Sequence, residues 1–372
     1  MSSKYYITCF FFNTNCDIIG VYLIGYYMKN KAASFTDIHW GRKNNSELHN
    51  QDCIRFMEWF CNNVKADPTI DHIVFMGDWF ENRSAINGLT LDYALIGAKM
   101  LDALGLPVYF IVGNHDLYYR TTREVYSTNM FDSLGFNMIN TPTIIEDLGP
   151  KGALVCPFLF ESEYSLLAQY LKTPVWFGHF EFKGFVITGD TKKMEHGPDP
   201  ENFKNPRRIF SGHFHKRQTT GNITYIGNTF PVDFSDANDT KRGMMVYDYT
   251  LDDVTFKDWG ECPTYIRTEL SALIADAKSI LREDAVVSCV VDTDINYEQS
   301  LKLKAQLTKK YKLREITLQE SADKMRALVD TGMDREELAK LDTTTKQVVA
   351  MLGNIKAESI DNDKLIAIFE EL

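Results

Sequence analysis

Five short apolar runs each end in polar residues of one chemical kind: Phe35-Thr-Asp37-Ile-His39, Met76-Gly-Asp78, Val112-Gly-Asn114-His115-Asp116, Phe177-Gly-His179 and Ser211-Gly-His213-Phe-His215. Apolar runs alternating with helical periodicity predict an α/β sheet. Right-handed crossovers then bring parallel strand ends to one edge. Side chains alternate along a strand, so the spacing predicts that Asp37 and His39 share a face, as do His213 and His215, each pair able to grip one ion. Asp, Asn and His offer oxygen and nitrogen donors suited to manganese, iron or zinc, and there are too many for one ion. Taken singly, Gly-Asp and Gly-His are common turn pairs. The ordered set points to paired divalent ions clamping a phosphate ester.

The 372 residues, 44% hydrophobic and 13% aromatic, suffice for a large core with one or two smaller units. A net charge of -11 argues against nonspecific adhesion to nucleic acid. That charge is uneven: Glu320 to Leu372 holds 12 acidic and 7 basic residues, -5 of the total. Bound cations would offset part of the remainder. Cys9, Cys16, Cys53, Cys61, Cys156, Cys262 and Cys289 form no CxxC pair and read as reduced thiols of an intracellular, cytoplasmic protein. Tyr5 to Tyr27 is largely apolar, but Asn13, Asn15 and Asp17 interrupt it, against a membrane anchor. No signal-peptide pattern is evident. Met28 opens an ordinary start, so residues 1–27 are expected to be a dispensable extension.

Helical spacing of Ile54, Met57, Phe60 and Val64 predicts a helix over Glu47 to Val64. Leu91, Ala94, Leu95, Ala98 and Leu101 predict a second, with Thr90 as N-cap and a stop at Gly105 and Pro107. After Asp248 the pattern changes. Val286 to Asp292 reads as a strand, Tyr297 to Tyr311 as a helix and Leu313 to Leu318 as a strand, a small βαβ unit. Beyond it Val348, Val349, Leu352 and Ile355, then Leu365, Ile368, Phe369 and Leu372, lie at helical spacing.

Over Lys31 to Asp248 the motif series resembles the calcineurin-like metallophosphoesterase superfamily. Asp37-Ile-His39-Trp-Gly, Gly113-Asn-His-Asp116, Gly212-His-Phe-His215 and Tyr225-Ile-Gly-Asn228 make it most similar to SbcD-type recombination nucleases and the small subunit of the phage recombination endonuclease. The resemblance implies an α/β two-sheet sandwich with helices outside over residues 28–255, a small α/β capping domain over 256–318 and a helical partner-binding tail over 319–372. It also implies one ion on Asp37, His39, Asp78 and His215 and another on Asp78, Asn114, His179 and His213, with manganese as the expected metal. Asp78 would bridge, and water would attack phosphorus in line. Asn114 being a ligand, His115 is left as general acid to the leaving 3′ oxygen, with Asp116 as its orienting partner; the alternative is a purely scaffolding histidine. Some relatives carry histidine where this chain has Glu81, which leaves the balance of exonuclease and endonuclease action open.

Three functional classes follow: a DNA nuclease working with an SMC-like, SbcC-type ATPase, a small-substrate phosphodiesterase or phosphatase, and a decayed scaffold. Residues Gly77 to Asn82 lack the protein-phosphatase pattern, and every ligand position is filled, which favours the first. Candidate phosphate contacts are Arg42, Lys43, Lys192, Lys193, Arg207, Arg208, Lys216 and Arg217. Lys302, Lys304, Lys309, Lys310, Lys312 and Arg314 form a basic run that either guides DNA or is simply solvated. The resemblance further implies a homodimer through phosphoesterase-domain helices and an ATPase docked on the C-terminal helices.

Overall fold

The computed structural model describes residues 28–188, 192–293 and 295–320. The expectations for residues 1–27 and for the tail beyond residue 320, including its ATPase-docking helices, lie outside the described residues, as do Cys9 and Cys16. The chain divides into two compact units, the first reaching to Pro231 and resuming over Asp239–Cys262, the second taking Val232–Asn238 and the chain from Pro263.

The first unit is a sandwich of two six-stranded sheets. In chain order its strands are β1 (Lys31–Phe35), β2 (His72–Phe75), β3 (Val108–Ile111), β4 (Asn137–Ile139), β5 (Thr143–Ile145), β6 (Ala153–Cys156), β7 (Val175–Gly178), β8 (Val186–Thr188), β9 (Lys192–Lys193), β10 (Arg208–Ser211), β11 (Gln218–Thr220), β12 (Ile223–Tyr225), β13 (Gly243–Asp248) and β14 (Asp253–Asp258). One sheet runs β14-β13-β1-β2-β3-β4, the other β11-β12-β10-β7-β6-β5, while β8 and β9 form a separate hairpin. β1 to β4 are mutually parallel, as are β6, β7, β10 and β12.

Strand alternation explains the layers. Ala32, Val74, Tyr109, Ile111 and Met245 of one sheet meet Ala153, Val155, Val175, Phe177 and Phe210 of the other in a common core. The opposite face of the first sheet presents Phe35, Phe75 and Phe110, and Phe35 packs on Phe56 and Phe60 of the helix Glu47–Ala66. Burying each such ring contributes roughly 1.5–3 kcal/mol. The helix Gly88–Asp102 buries Ala94, Ala98 and Leu101 as the stripe predicts, but its N-cap is Asn87, whose side chain accepts from Thr90 N at 2.7 Å. Thr90 is buried instead, donating to Asn45 and accepting from Asn50. Of the expected phosphate contacts, Arg207 and Arg208 pair with Asp252, and Arg217 pairs with Asp258 over the Phe256 ring. β14 crosses the expected boundary at 255, because it closes the edge of the first sheet on β13.

The second unit holds β15 (Thr264–Glu269), β16 (Ala285–Val291) and β17 (Glu315–Glu320), all parallel in that order. The helices Leu270–Ile280 and Tyr297–Tyr311 provide the crossovers, so the unit is βαβαβ, one strand and one helix larger than the sequence pattern suggests. Asn296 and Gln299 cap the second helix reciprocally. Ala285, Val287, Cys289 and Val291 alternate into a core with Leu273, Leu307 and Ile316. Lys302, Lys312 and Arg314 of the basic run pair with Glu298, Glu283 and Asp284. The five cysteines among the described residues are buried and form no disulfide. No helix among the described residues is long and apolar enough to cross a membrane.

Candidate metal centre

The parallel strands β1, β2, β3, β7 and β10 end at Phe35, Phe75, Ile111, Gly178 and Ser211, and each candidate ligand lies in the loop just beyond. Strand alternation therefore does not pair them. Asp37, His39, Asp78 and His213 have left-handed backbones, with φ of 52°, 52°, 60° and 83°, a conformation costing roughly 1–3 kcal/mol that non-glycine residues keep mainly where structure over-determines it. These turns bring Asp37 and His39 together, but His213 and His215 separate: His215 joins Asp37 and His39, whereas His213 joins Asp78 and His179.

Asp78 lies between the clusters. Its Oδ1 accepts the His115 backbone N–H at 2.8 Å, while Oδ2 lies 3.3 Å from His179 Nε2 and 3.9 Å from His39 Nε2. Asn114 Oδ1 sits 2.9 Å from both His179 Nε2 and His213 Nδ1, which are 3.3 Å apart. In the first cluster His39 Nε2 is 3.2 Å from His215 Nε2 and 3.7 Å from Asp37 Oδ1. So many lone pairs can converge only around protons or a cation. This donor set fits divalent metal, with the Asn114 oxygen turned inward as a metal requires.

Three of the four imidazoles have a polar neighbour at the far nitrogen. His179 Nδ1 donates to Met76 O at 2.7 Å, His213 Nε2 lies 3.3 Å from Glu181 Oε1, and His39 Nδ1 lies 2.9 Å from Glu81 Oε2. Such partners fix which nitrogen faces a metal. Glu181 escaped the sequence reading because no motif spacing marks it. Glu81 stood out there only as a departure, and its place beside His39 and Arg42 is a tertiary fact. Gly77 and Gly113 allow the close approach: a Cβ on either would lie 2.5 Å from His179 Nδ1 or 2.2 Å from Asp78 Oδ1 respectively.

Asp116 does not orient His115. Its buried carboxylate accepts backbone N–H groups of Asp78, Trp79, Phe80 and Gly113 at 2.9–3.2 Å, tying the β2 loop to the β3 loop. His115 Nδ1 instead donates to Glu81 O at 2.7 Å, leaving Nε2 as its nitrogen without a hydrogen bond among the described residues. The His115 ring stands edge-on to His39, 5.0 Å between centroids.

Burial works against charging His39, yet Asp37 and Glu81 hold its pKa up at about 10, and Asp78 against the same penalty holds His179 at about 9. At neutral pH a dication must displace these protons. Metal affinity should therefore rise with pH toward those values and fall as pH is lowered, by about tenfold per unit for each proton displaced. Manganese titration calorimetry at pH 6 and pH 8 checks this, and equal affinities would contradict it.

Paired donor clusters at the strand ends of a two-sheet sandwich define a metallophosphoesterase. Residues 31–217 match the calcineurin-like phosphoesterase family, and the chain belongs to it. It is 30% identical over 177 residues to exonuclease subunit 1 of Enterobacteria phage T4, covering 46% of this chain and 51% of that protein. The chain thus spans about half the length of the curated relative it matches. Among solved structures it is similar to an archaeal phosphodiesterase, at 9% identity, TM-score 0.34, 62% of this chain and 99% of the other. A dimetal phosphatase from Danio rerio gives 12% identity, TM-score 0.40 and coverage of 62% and 96%.

Proposed function

We propose that this protein is a metal-dependent nuclease that hydrolyses phosphodiester bonds of DNA in repair or recombination. The observation that carries the reading is the adjoining pair of donor clusters, Asp37-His39-His215 and Asp78-His179-His213, with Asp78 Oδ2 reaching to 3.9 Å from His39 and the His115 ring 5.0 Å from that of His39. Asp37, His39, His215 and Asp78 would hold one ion, and Asp78, Asn114, His179 and His213 the other, with manganese as the metal. When bound, such ions neutralise charge on phosphoryl oxygens and lower the pKa of water. Asp78 Oδ1, tied to the His115 amide, keeps Oδ2 aimed between the clusters, and the Glu81 carbonyl keeps His115 Nε2 available to protonate the leaving oxygen. Asp116 positions the loops rather than the proton. DNA as substrate draws support from the exonuclease name of the phage relative.

With manganese, a 3′-labelled duplex and bis(p-nitrophenyl) phosphate separate the readings: the nuclease should cut both, a small-substrate phosphodiesterase only the ester. The word subunit in that relative's name supports an assembly, which we read as an SMC-like ATPase partner with a homodimer of this chain. Truncation after residue 320 should abolish co-purification with a co-expressed ATPase of this class while keeping ester hydrolysis within about twofold. Retained co-purification would place the partner surface elsewhere.

A further inference from the structure

Two arginines near the candidate centre make no ion pair among the described residues. Arg83 is half-buried and Arg120 exposed, whereas the other arginines of the first unit each reach a carboxylate, as Arg42 reaches Glu81 at 3.2 Å and Arg123 reaches Glu163 at 3.0 Å. Arg83 Nη2 lies 3.2 Å from the outward atom of the Asn114 amide. With Asn114 Oδ1 facing the cluster that atom is nitrogen, so the guanidinium meets another donor there and has no acceptor among the described residues. Arg83 also feels the charges of Asp78, Asp116 and Arg120. Two neighbouring cations beside a site for dications repel one another unless an anion joins them. A guanidinium fork matches phosphate oxygens.

Arg120 follows two exposed tyrosines. Tyr118 and Tyr119 are 47% and 45% exposed, with ring centroids 4.8 Å apart in a T-shaped pair. Their loop is tied at its base by Tyr118 N to Val125 O at 3.0 Å and Ser127 N to Asp116 O at 2.8 Å, so it is rooted directly on the His115-Asp116 turn. Exposed aromatic faces beside arginine are a platform for unpaired bases. We propose that Arg83 and Arg120, with the Tyr118–Tyr119 pair, form a subsite for the sugar-phosphate chain flanking the phosphate being cut, so that the ligand this site fits is a single nucleic-acid strand. The inference rests on the nuclease reading.

The test uses the full chain and an Arg83→Gln/Arg120→Gln double variant. Binding of a fluorescein-labelled single-stranded oligonucleotide is followed by anisotropy in EDTA across a salt series. Loss of two phosphate contacts should reduce the slope of log K against log salt by about 1.4, at about 0.7 per contact. With manganese, kcat/KM for the oligonucleotide should fall at least tenfold further than for bis(p-nitrophenyl) phosphate, chiefly through KM. Manganese titration reports whether the variant folds; should it fail, the exposed Arg120→Gln single variant carries the test with a slope change of about 0.7. Parent-like slopes, or equal losses on both substrates, overturn the subsite. A parent protein that hydrolyses the ester but neither binds nor cuts the oligonucleotide overturns the nuclease reading itself.

Discussion

Replacing Asp78 with alanine should remove both metal ions and hydrolysis together. Its Oδ2 lies within 4 Å of ring nitrogens from both clusters, at 3.3 Å from His179 and 3.9 Å from His39. Without it the remaining donors of each cluster bind more weakly, and the charge between two dications is no longer screened. Activity should fall by more than the roughly 100- to 1,000-fold that follows loss of a single preorganised electrostatic group. Calorimetric titration with manganese should show neither site filled at concentrations that saturate the parent. The substitution also strips the His115 amide of its acceptor, costing about 1–3 kcal/mol, so Asp78→Asn, which preserves shape and an acceptor oxygen, is the companion variant. Two ions bound at parental affinity in either variant would remove Asp78 from the bridging position.

His115→Ala should behave in the opposite way on metal. Its ring lies beside the clusters, anchored through Nδ1 to the Glu81 carbonyl, and two manganese ions should still bind within about twofold of the parent. DNA cleavage should fall roughly 100- to 10,000-fold, the usual worth of a positioned general acid. The ester with a p-nitrophenolate leaving group needs little protonation, so its hydrolysis should fall far less. A general acid works while protonated, so the parent rate on DNA should decline as pH rises through the His115 pKa, and that decline should vanish in the variant. Burial pushes this pKa below the ordinary histidine value although Asp78 pulls it upward, so the alkaline decline should begin earlier than for an exposed imidazole. Parental cleavage of DNA by the variant would remove His115 from proton transfer.

Much of the centre was legible because its donors stand in motifs. Asp37, His39, Asp78, Asn114, His179, His213 and His215 are brought together; all lie in the ordered series, and the family resemblance separates them there from His115 and Asp116. The geometric reason for their pairing was not legible. Alternation applies only where the backbone is extended, and left-handed residues at Asp37, His39 and His213 place the side chains after each strand has ended. The same limit explains Asp116, whose adjacency to His115 suggested a partnership that four backbone N–H groups of two loops pre-empt. Glu181 and Glu81 act through contacts that no local spacing encodes. In the fold, the helix Tyr297–Tyr311 was visible from its periodicity. β15 and the helix Leu270–Ile280 were missed because Thr264–Glu269 mixes buried Thr264 and Tyr265 with exposed Arg267 without a clean alternation.

The hydrogen bonds from His213 N to Asp37, at 3.0 and 3.2 Å, join residues 176 positions apart, one following a strand of each sheet. Contacts of such sequence separation form only after the loop-closure entropy of most of the unit has been met. Half a sandwich can hold half the donors but cannot present a working centre. Hydrolytic competence is thus a property of the completed topology, and in a refolding experiment it should emerge with the last long-range contacts rather than with the first helical signal.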